Sequence, residues 1–525
     1  MIKQKQYFQD LLEFQNSQLQ YHQVLHIVQR PNQINDRSQS SLGYALVKCS
    51  SLSKLTLELQ SNQINDEGIS SLGSALEKCT NLSNLTLHLS RNQIGAIGSL
   101  NLGSCLEKYN NLSKLTLDLF YNKIGDEGAL SLGFWLGKCT NLSNLTLDLG
   151  YNKIGDEGAL GLGSGLGKCT NLSNLKLDLN SNQIGDESAS GLGFAIGNCI
   201  NLQNLTLGLF SNKIGDKGSS GIGSTLVLCT NLSNLTIDLS YNKINGEGAS
   251  GLGSALANCT NLSDLTLNLS SNFIGSAGAS GLGSVLKNGY NLSKLTFDLC
   301  SNFIGDEGSS GLGSALAKCI NLSKLTLNLL ENQINDKGAI GLGFGLEKCT
   351  NLSNLTLNLE CNQIRVEGVS SLGCALSKCT NLQNLAFNLF GNQIGNQGSQ
   401  SLGSTISKCS NLQKLTLNLR QKQFICFRCD IFKSKNRFKI INFFLDLFIQ
   451  NFLFDLFFFF TIFFLLLYLP IQAIFTFLTF GLIISFFNYL FIDQVFIRFI
   501  LSFLFCLYYF ILIDFKYKFQ FHTLF

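Results

Sequence analysis

Asn141-Leu142-Ser143-Asn144-Leu145-Thr146-Leu147-Asp148-Leu149-Gly150-Tyr151-Asn152-Lys153-Ile154-Gly155-Asp156-Glu157-Gly158 opens a unit that carries two spacings. Leu145, Leu147 and Leu149 alternate with polar residues, the period-two pattern of a strand with one buried face. Past Ile154 the apolar residues Ala159, Leu162 and Leu166 fall three and four apart, as one face of a helix requires. Asp156 and Glu157 stand where first-turn amides want an acceptor or a negative charge, and Lys168 stands near the negative end of the helix dipole. The stretch therefore predicts strand, turn and helix.

The same reading recurs with a period of 30 and no slip from Leu52 to Leu412, through Leu82, Leu112, Leu142 and Leu172. A unit this small cannot cover its own leucines, so copies must stack, strands in one parallel sheet and helices on the opposite side. The expected fold is α/β, a curved solenoid. Asn152 occupies a position held by asparagine thirteen times, from Asn32 to Asn392. Where the chain leaves the strand, a buried amide can both donate and accept, so this column reads as a structural ladder. Gly158 and Gly163, repeated in most units, read as permitting tight turns and close helix packing.

Composition fits a repeat array rather than a mosaic of domains: 525 residues contain 50 glycines, 2 prolines and 1 tryptophan. A net charge of +4 on a chain only 14% charged suggests neither a basic nucleic-acid-binding surface nor an acidic disordered tail. Residues 1–21 are glutamine-rich, lack an apolar run resembling a signal-peptide core, and form a candidate cap. Eleven of the 18 cysteines share one repeat position, from Cys49, Cys79 and Cys139 to Cys409, and read as small buried apolar residues rather than disulfide partners or metal ligands. Free thiols, and sequons such as Asn81-Leu82-Ser83 whose glycans would crowd the sheet edge, place the array on the cytosolic side.

Little in the chain suits catalysis. Gly161-Leu162-Gly163-Ser164-Gly165-Leu166-Gly167-Lys168 superficially suggests a nucleotide loop, but Leu162 holds the first glycine position and Cys169 follows the lysine. With only His22, His26, His88 and His522, a histidine-based acid/base or metal site has little material. Cys426-Phe427-Arg428-Cys429 is a lone pair without a second. No enzyme, cofactor or metal is expected.

The pattern Leu145-x-Leu147-x-Leu149-x-x-Asn152-x-Ile154, followed by Gly155-Asp156-Glu157-Gly158-Ala159, resembles the leucine-rich repeats of the ribonuclease-inhibitor type. It is especially similar to the repeats of nucleotide-binding leucine-rich-repeat receptors, over residues 22–420. The resemblance implies a horseshoe with the sheet on the concave face, helices on the convex face, and protein recognition as the usual activity; it does not imply ribonuclease inhibition. The chain departs from those receptors in having no room before the array for a nucleotide-binding module.

If the concave face binds, its outward positions carry the variation. The Thr146 position is threonine in most units, while the Gly150 position becomes Phe120, Asn180, Phe210 or Ser240, and the next becomes Tyr121, Tyr151 or Tyr241. Aromatic residues there are good anchors for a partner. Asp118, Asp148, Asp178, Asp238 and Asp298 form an interrupted acidic row beside them. These residues make the expected site for a basic or mixed protein partner; the alternative is a solvated strand face with aromatics tucked into the sheet edge. Repetition gives the carboxylates like environments, which argues against acid/base catalysis by a pair of them.

After residue 420 the material changes. Gly481 is the only glycine there, and 30 of the 42 phenylalanines follow that point. Residues 421–439 are basic, with Arg428, Lys433, Lys435, Arg437 and Lys439, and 440–525 are hydrophobic. The 37 residues from Leu456 to Ile492 carry no charge. As one helix they would extend about 55 Å, against a hydrocarbon core of roughly 30 Å. Two to four candidate spans follow, with membrane contact through residues 456–513 and the cationic cluster favouring a cytosolic array. Asp493 and Arg498 read as a loop between spans rather than a transport path. The tail's composition would also arise from translated AT-rich non-coding sequence, and the array stops without a polar capping repeat.

Two readings follow: a non-enzymatic, multi-pass membrane-anchored scaffold binding a protein on the concave face, or a soluble enzyme regulator whose tail is a gene-model extension.

Overall fold

The computed structural model describes residues 6–32 and 36–419. The expected basic segment and membrane spans lie outside the described residues. Within them, no helix is long and apolar enough to cross a membrane.

Fifteen strands form one parallel sheet in chain order, from β1 (Gln6–Phe8), β2 (Val24–Val28) and β3 (Lys54–Glu58) to β15 (Lys414–Asn418). A helix follows each strand from β2 to β14, beginning with α2 (Asp36–Val47) and ending with α14 (Gly395–Ile406). Before them, α1 (Leu11–Gln15) and β1 bring Phe8 and Phe14 into the same core, their rings 5.4 Å apart. Register equals sequence period: Leu145 pairs with Leu175 and Asp148 with Asp178, each 30 residues on. In β6 (Asn144–Asp148) the leucines are buried and the polar residues half-buried, as alternation on a one-sided sheet demands. The described chain is a solenoid of strand, turn and helix.

Side chains at fixed positions tie each turn to the next. Asn152 donates through Nδ2 to the carbonyls of Leu119 and Gly150, at 2.9 and 3.1 Å. Asn182 Oδ1 in turn accepts the amides of Asn152 and Ile154, at 3.1 and 2.9 Å. These are backbone groups that a strand leaving its ladder would otherwise bury without partners.

The recurring cysteines are free thiols, and all but Cys259 of the repeat-position set are buried. They do more than fill space: Cys169 donates to the carbonyl of Leu136 at 3.3 Å, and Cys409 to that of Leu376 at 3.4 Å. Tyr109, standing where a cysteine recurs, donates the equivalent bond to Leu76 at 2.8 Å. In these turns the residue is a donor, S–H or O–H, which a purely apolar reading misses.

Helix starts also differ from expectation. Asp126 Oδ1 accepts the amides of Gly155 (2.6 Å) and Gly158 (3.1 Å), in the following repeat rather than in its own helix α5 (Gly125–Leu136). Asp66, Asp156, Asp216 and Asp336 make the same reach, for Asp156 to Gly185 at 2.8 Å. The orphan first-turn amides of one helix lie beside its neighbour, so the cap is lateral.

Glycine is needed where helix backbones touch. A Cβ on Gly165 would run into the carbonyl oxygen of Gly133, whereas one on Gly163 would find its nearest neighbour at 3.5 Å. Close packing holds at Gly158, where a Cβ would come within 2.6 Å of Asp126, and at Gly133 and Gly313, the repeat equivalents of Gly163, though not at Gly163 itself.

Candidate partner-binding face

The acidic row lies at one register. Asp118, Asp148 and Asp178 are consecutive partners in β5 (Lys114–Asp118), β6 and β7 (Asn174–Asp178); Gly208 then separates Asp178 from Asp238, and Asn268 separates Asp238 from Asp298. Asp118 and Asp298 are six strands apart, roughly 29 Å at sheet spacing, a span that a protein partner could cover and a small ligand could not.

These carboxylates face inward more than the sequence suggests. Each accepts the amide two residues on: Asp118 from Phe120 (3.1 Å), Asp148 from Gly150 (3.0 Å), Asp178 from Asn180 (3.0 Å), Asp238 from Ser240 (3.0 Å) and Asp298 from Cys300 (3.2 Å). Asparagine does the same where it replaces aspartate, as Asn268 does for Ser270 at 3.2 Å. One oxygen closing the turn off the strand is what the position requires, with or without charge. Burial pushes the carboxyl of Asp148 up to about 6, with Asp178 and Asp118 adding repulsion against the amide of Gly150 and Lys176. Asp178 is raised chiefly by burial as well. For Asp118 burial acts upward too, but His88, the amide of Phe120 and Ser90 outweigh it and hold it low.

The aromatics gather in two groups. Phe120 meets Tyr151 edge-on at 5.2 Å, and Tyr121 lies 6.0 Å from Tyr151. Phe210 meets Tyr241 edge-on at 5.3 Å. Phe120 covers Gly150, where a Cβ would come within 3.0 Å of its ring. The tyrosines stay open, Tyr121 at 56%, Tyr151 at 46% and Tyr241 at 60% exposure.

Several residues escaped the sequence reading. Glu58 and His88 head the acidic row in the same phase, and His88 Nδ1 lies 3.6 Å from Asp118 Oδ2, an ion pair when the imidazole is protonated. The phase that located Asp118 would have found both. Arg91 places its guanidinium 5.8 and 5.7 Å from the rings of Phe120 and Tyr121. On the helix side, Leu130, Phe134 and Phe194 are exposed, at positions outside the buried helical spacing. Among the described residues, no group of three or more His, Cys, Asp or Glu could hold a metal ion.

A stacked parallel sheet with one strand and one helix per 30 residues defines the class. The leucine rich repeat family model matches residues 51–73, 111–133, 141–163, 171–193, 231–253 and 351–373. The chain carries leucine-rich repeats. Among solved structures it is similar to a leucine-rich repeat protein of Leptospira interrogans, at 20% identity and a TM-score of 0.49, over 79% of this chain and 88% of that one. It is also similar to the second actin-binding site of leiomodin-1, at 16% identity and a TM-score of 0.23, over 28% of this chain and 80% of that one. No curated protein matches the chain in sequence.

Proposed function

We propose that this protein is a non-enzymatic scaffold that holds a protein partner on the open face of its sheet, the concave face of the expected horseshoe. The observation that carries this reading is the exposure of Tyr121, Tyr151 and Tyr241 beside the strand ends, where they contribute nothing to the core. Large, stiff aromatic side chains bury much area for little lost rotamer freedom, which suits them as anchors. The row from Asp118 to Asp298 supplies a polar floor between them. The hydrophobic segment 456–513 would tether the array, in this reading, to a membrane with the repeats on the cytosolic side.

A photo-cross-linker placed at Tyr151 or Tyr241 in cells should trap a protein, while one at Phe344, exposed on the helix side, should not. Equal yields from both faces would remove the reading. Carbonate extraction tests the tether separately: recovery of the full chain in the supernatant would leave the soluble regulator in its place.

A further inference from the structure

The exposed charge beside the tyrosines is cationic. Two residues past each tyrosine position the chain carries Lys123, Lys153, Lys213 and Lys243, and Arg91 holds the tyrosine position itself. All five are exposed, and among the described residues none pairs with a carboxylate. Lys123 and Lys213 reach only the neutral amides of Gln93 and Gln183, at 3.5 and 3.4 Å. The acids of the same region, Asp118, Asp148, Asp178 and Asp238, are half-buried and engaged by backbone amides. A partner approaching the strand ends therefore meets lysines and tyrosine hydroxyls before it meets the strand carboxylates, while Glu127, Glu157, Glu187 and Glu247 belong to the first turns of the helices beyond.

Resting on the partner-binding reading above, we infer that this rim, from Arg91 to Lys243, receives an extended polypeptide segment rich in aspartate or glutamate. The rim crosses six successive repeats, roughly 24 Å at sheet spacing, which about seven residues of extended chain would span. Lys123 with Lys153 and Lys213 with Lys243, one repeat apart within each pair and separated by Gln183, give point charges along such a line, and the hydroxyls of Tyr121, Tyr151 and Tyr241 donate to carboxylates between them. Single-stranded nucleic acid fits less well. It needs free aromatic faces for base stacking, whereas Tyr121 and Tyr151 pack against each other and against Phe120.

The test is fluorescence polarisation of the full chain with a fluorescein-labelled oligoglutamate peptide, against oligolysine and single-stranded oligodeoxythymidine. Oligoglutamate should bind in a salt-dependent manner. Lys123→Glu with Lys153→Glu, or Lys213→Glu with Lys243→Glu, should weaken it by about tenfold or more. Lys138→Glu with Lys168→Glu makes the same charge change on exposed lysines past the helix ends and should leave binding unaltered. Equal losses from rim and control pairs, or no oligoglutamate binding, would overturn the inference. Tighter binding of oligodeoxythymidine that the rim reversals abolish would also overturn it, in favour of nucleic acid. If cross-links at Tyr151 persist while the rim reversals change nothing, only the acidic partner falls and the scaffold reading stands.

Discussion

The carboxylate of Asp186 lies 2.7 Å from the amide of Gly215, a residue of the next repeat. The same oxygen takes the amide of Gly218 at 2.8 Å, so one side chain closes the first turn of a neighbouring helix. Asp186→Ala should cost about 1–2 kcal/mol, the usual cost of a lost cap. Glu187→Ala, at the adjacent exposed first-turn position, should shift the urea midpoint little. Equal shifts would mean that first-turn charge, and not the lateral bond, matters.

Two glycines two residues apart separate close contact from mere repetition. Gly165→Ala would force a Cβ into the carbonyl of Gly133 and should destabilise by about 3 kcal/mol. Gly163→Ala has room at 3.5 Å and should be neutral or stabilising, by up to about 1 kcal/mol, because alanine favours the helix. Thermal midpoints of the two variants in opposite directions would bear this out.

Asp148 makes stability depend on pH. Its carboxyl titrates near 6 in the folded chain because burial disfavours the charge. A carboxyl raised in the fold takes up its proton earlier than in the unfolded chain, so this contribution is greatest near pH 4 and falls as pH rises through about 6. Asp148→Asn keeps the oxygen that accepts the Gly150 amide, as Asn268 does for Ser270. The variant should melt higher than the parent at pH 7 and close to it at pH 4. A variant that melts lower at both would contradict the assignment.

The cysteine ladder should be chemically silent. Burial raises Cys169 to about 12, and its thiol donates to the Leu136 carbonyl. Iodoacetamide at pH 8 should label the exposed Cys361 and Cys374 in the native chain and reach Cys169 and Cys349 only after denaturation. Peptide mapping that finds Cys169 labelled as fast as Cys361 would show the ladder to be open.

Much of this architecture was legible from residue spacing. Leu145, Leu147 and Leu149 set strand and face, and the shift to Ala159, Leu162 and Leu166 set the helix. The period of 30 set the register that pairs Leu145 with Leu175. Asn152 could be read as a ladder because one amide column has no other use at the end of a strand.

The candidate site was legible only in part. Asp118 and its equivalents were identifiable as a row, yet a row of acids looks the same whether its oxygens face a partner or the chain's own amides. Their bonds to Phe120, Gly150 and Asn180 depend on how the backbone turns off the strand.

By itself the sequence determined what repeats and which side of each strand and helix is buried, because periodicity is a local property and repetition fixes its phase. Only the tertiary structure decided which neighbour each polar group serves. Asp156 reaches Gly185 and Cys169 reaches Leu136, bonds that cross from one repeat to the next. They exist because stacking brings orphan amides and carbonyls of one turn beside the side chains of another, a distance that no spacing along the chain records.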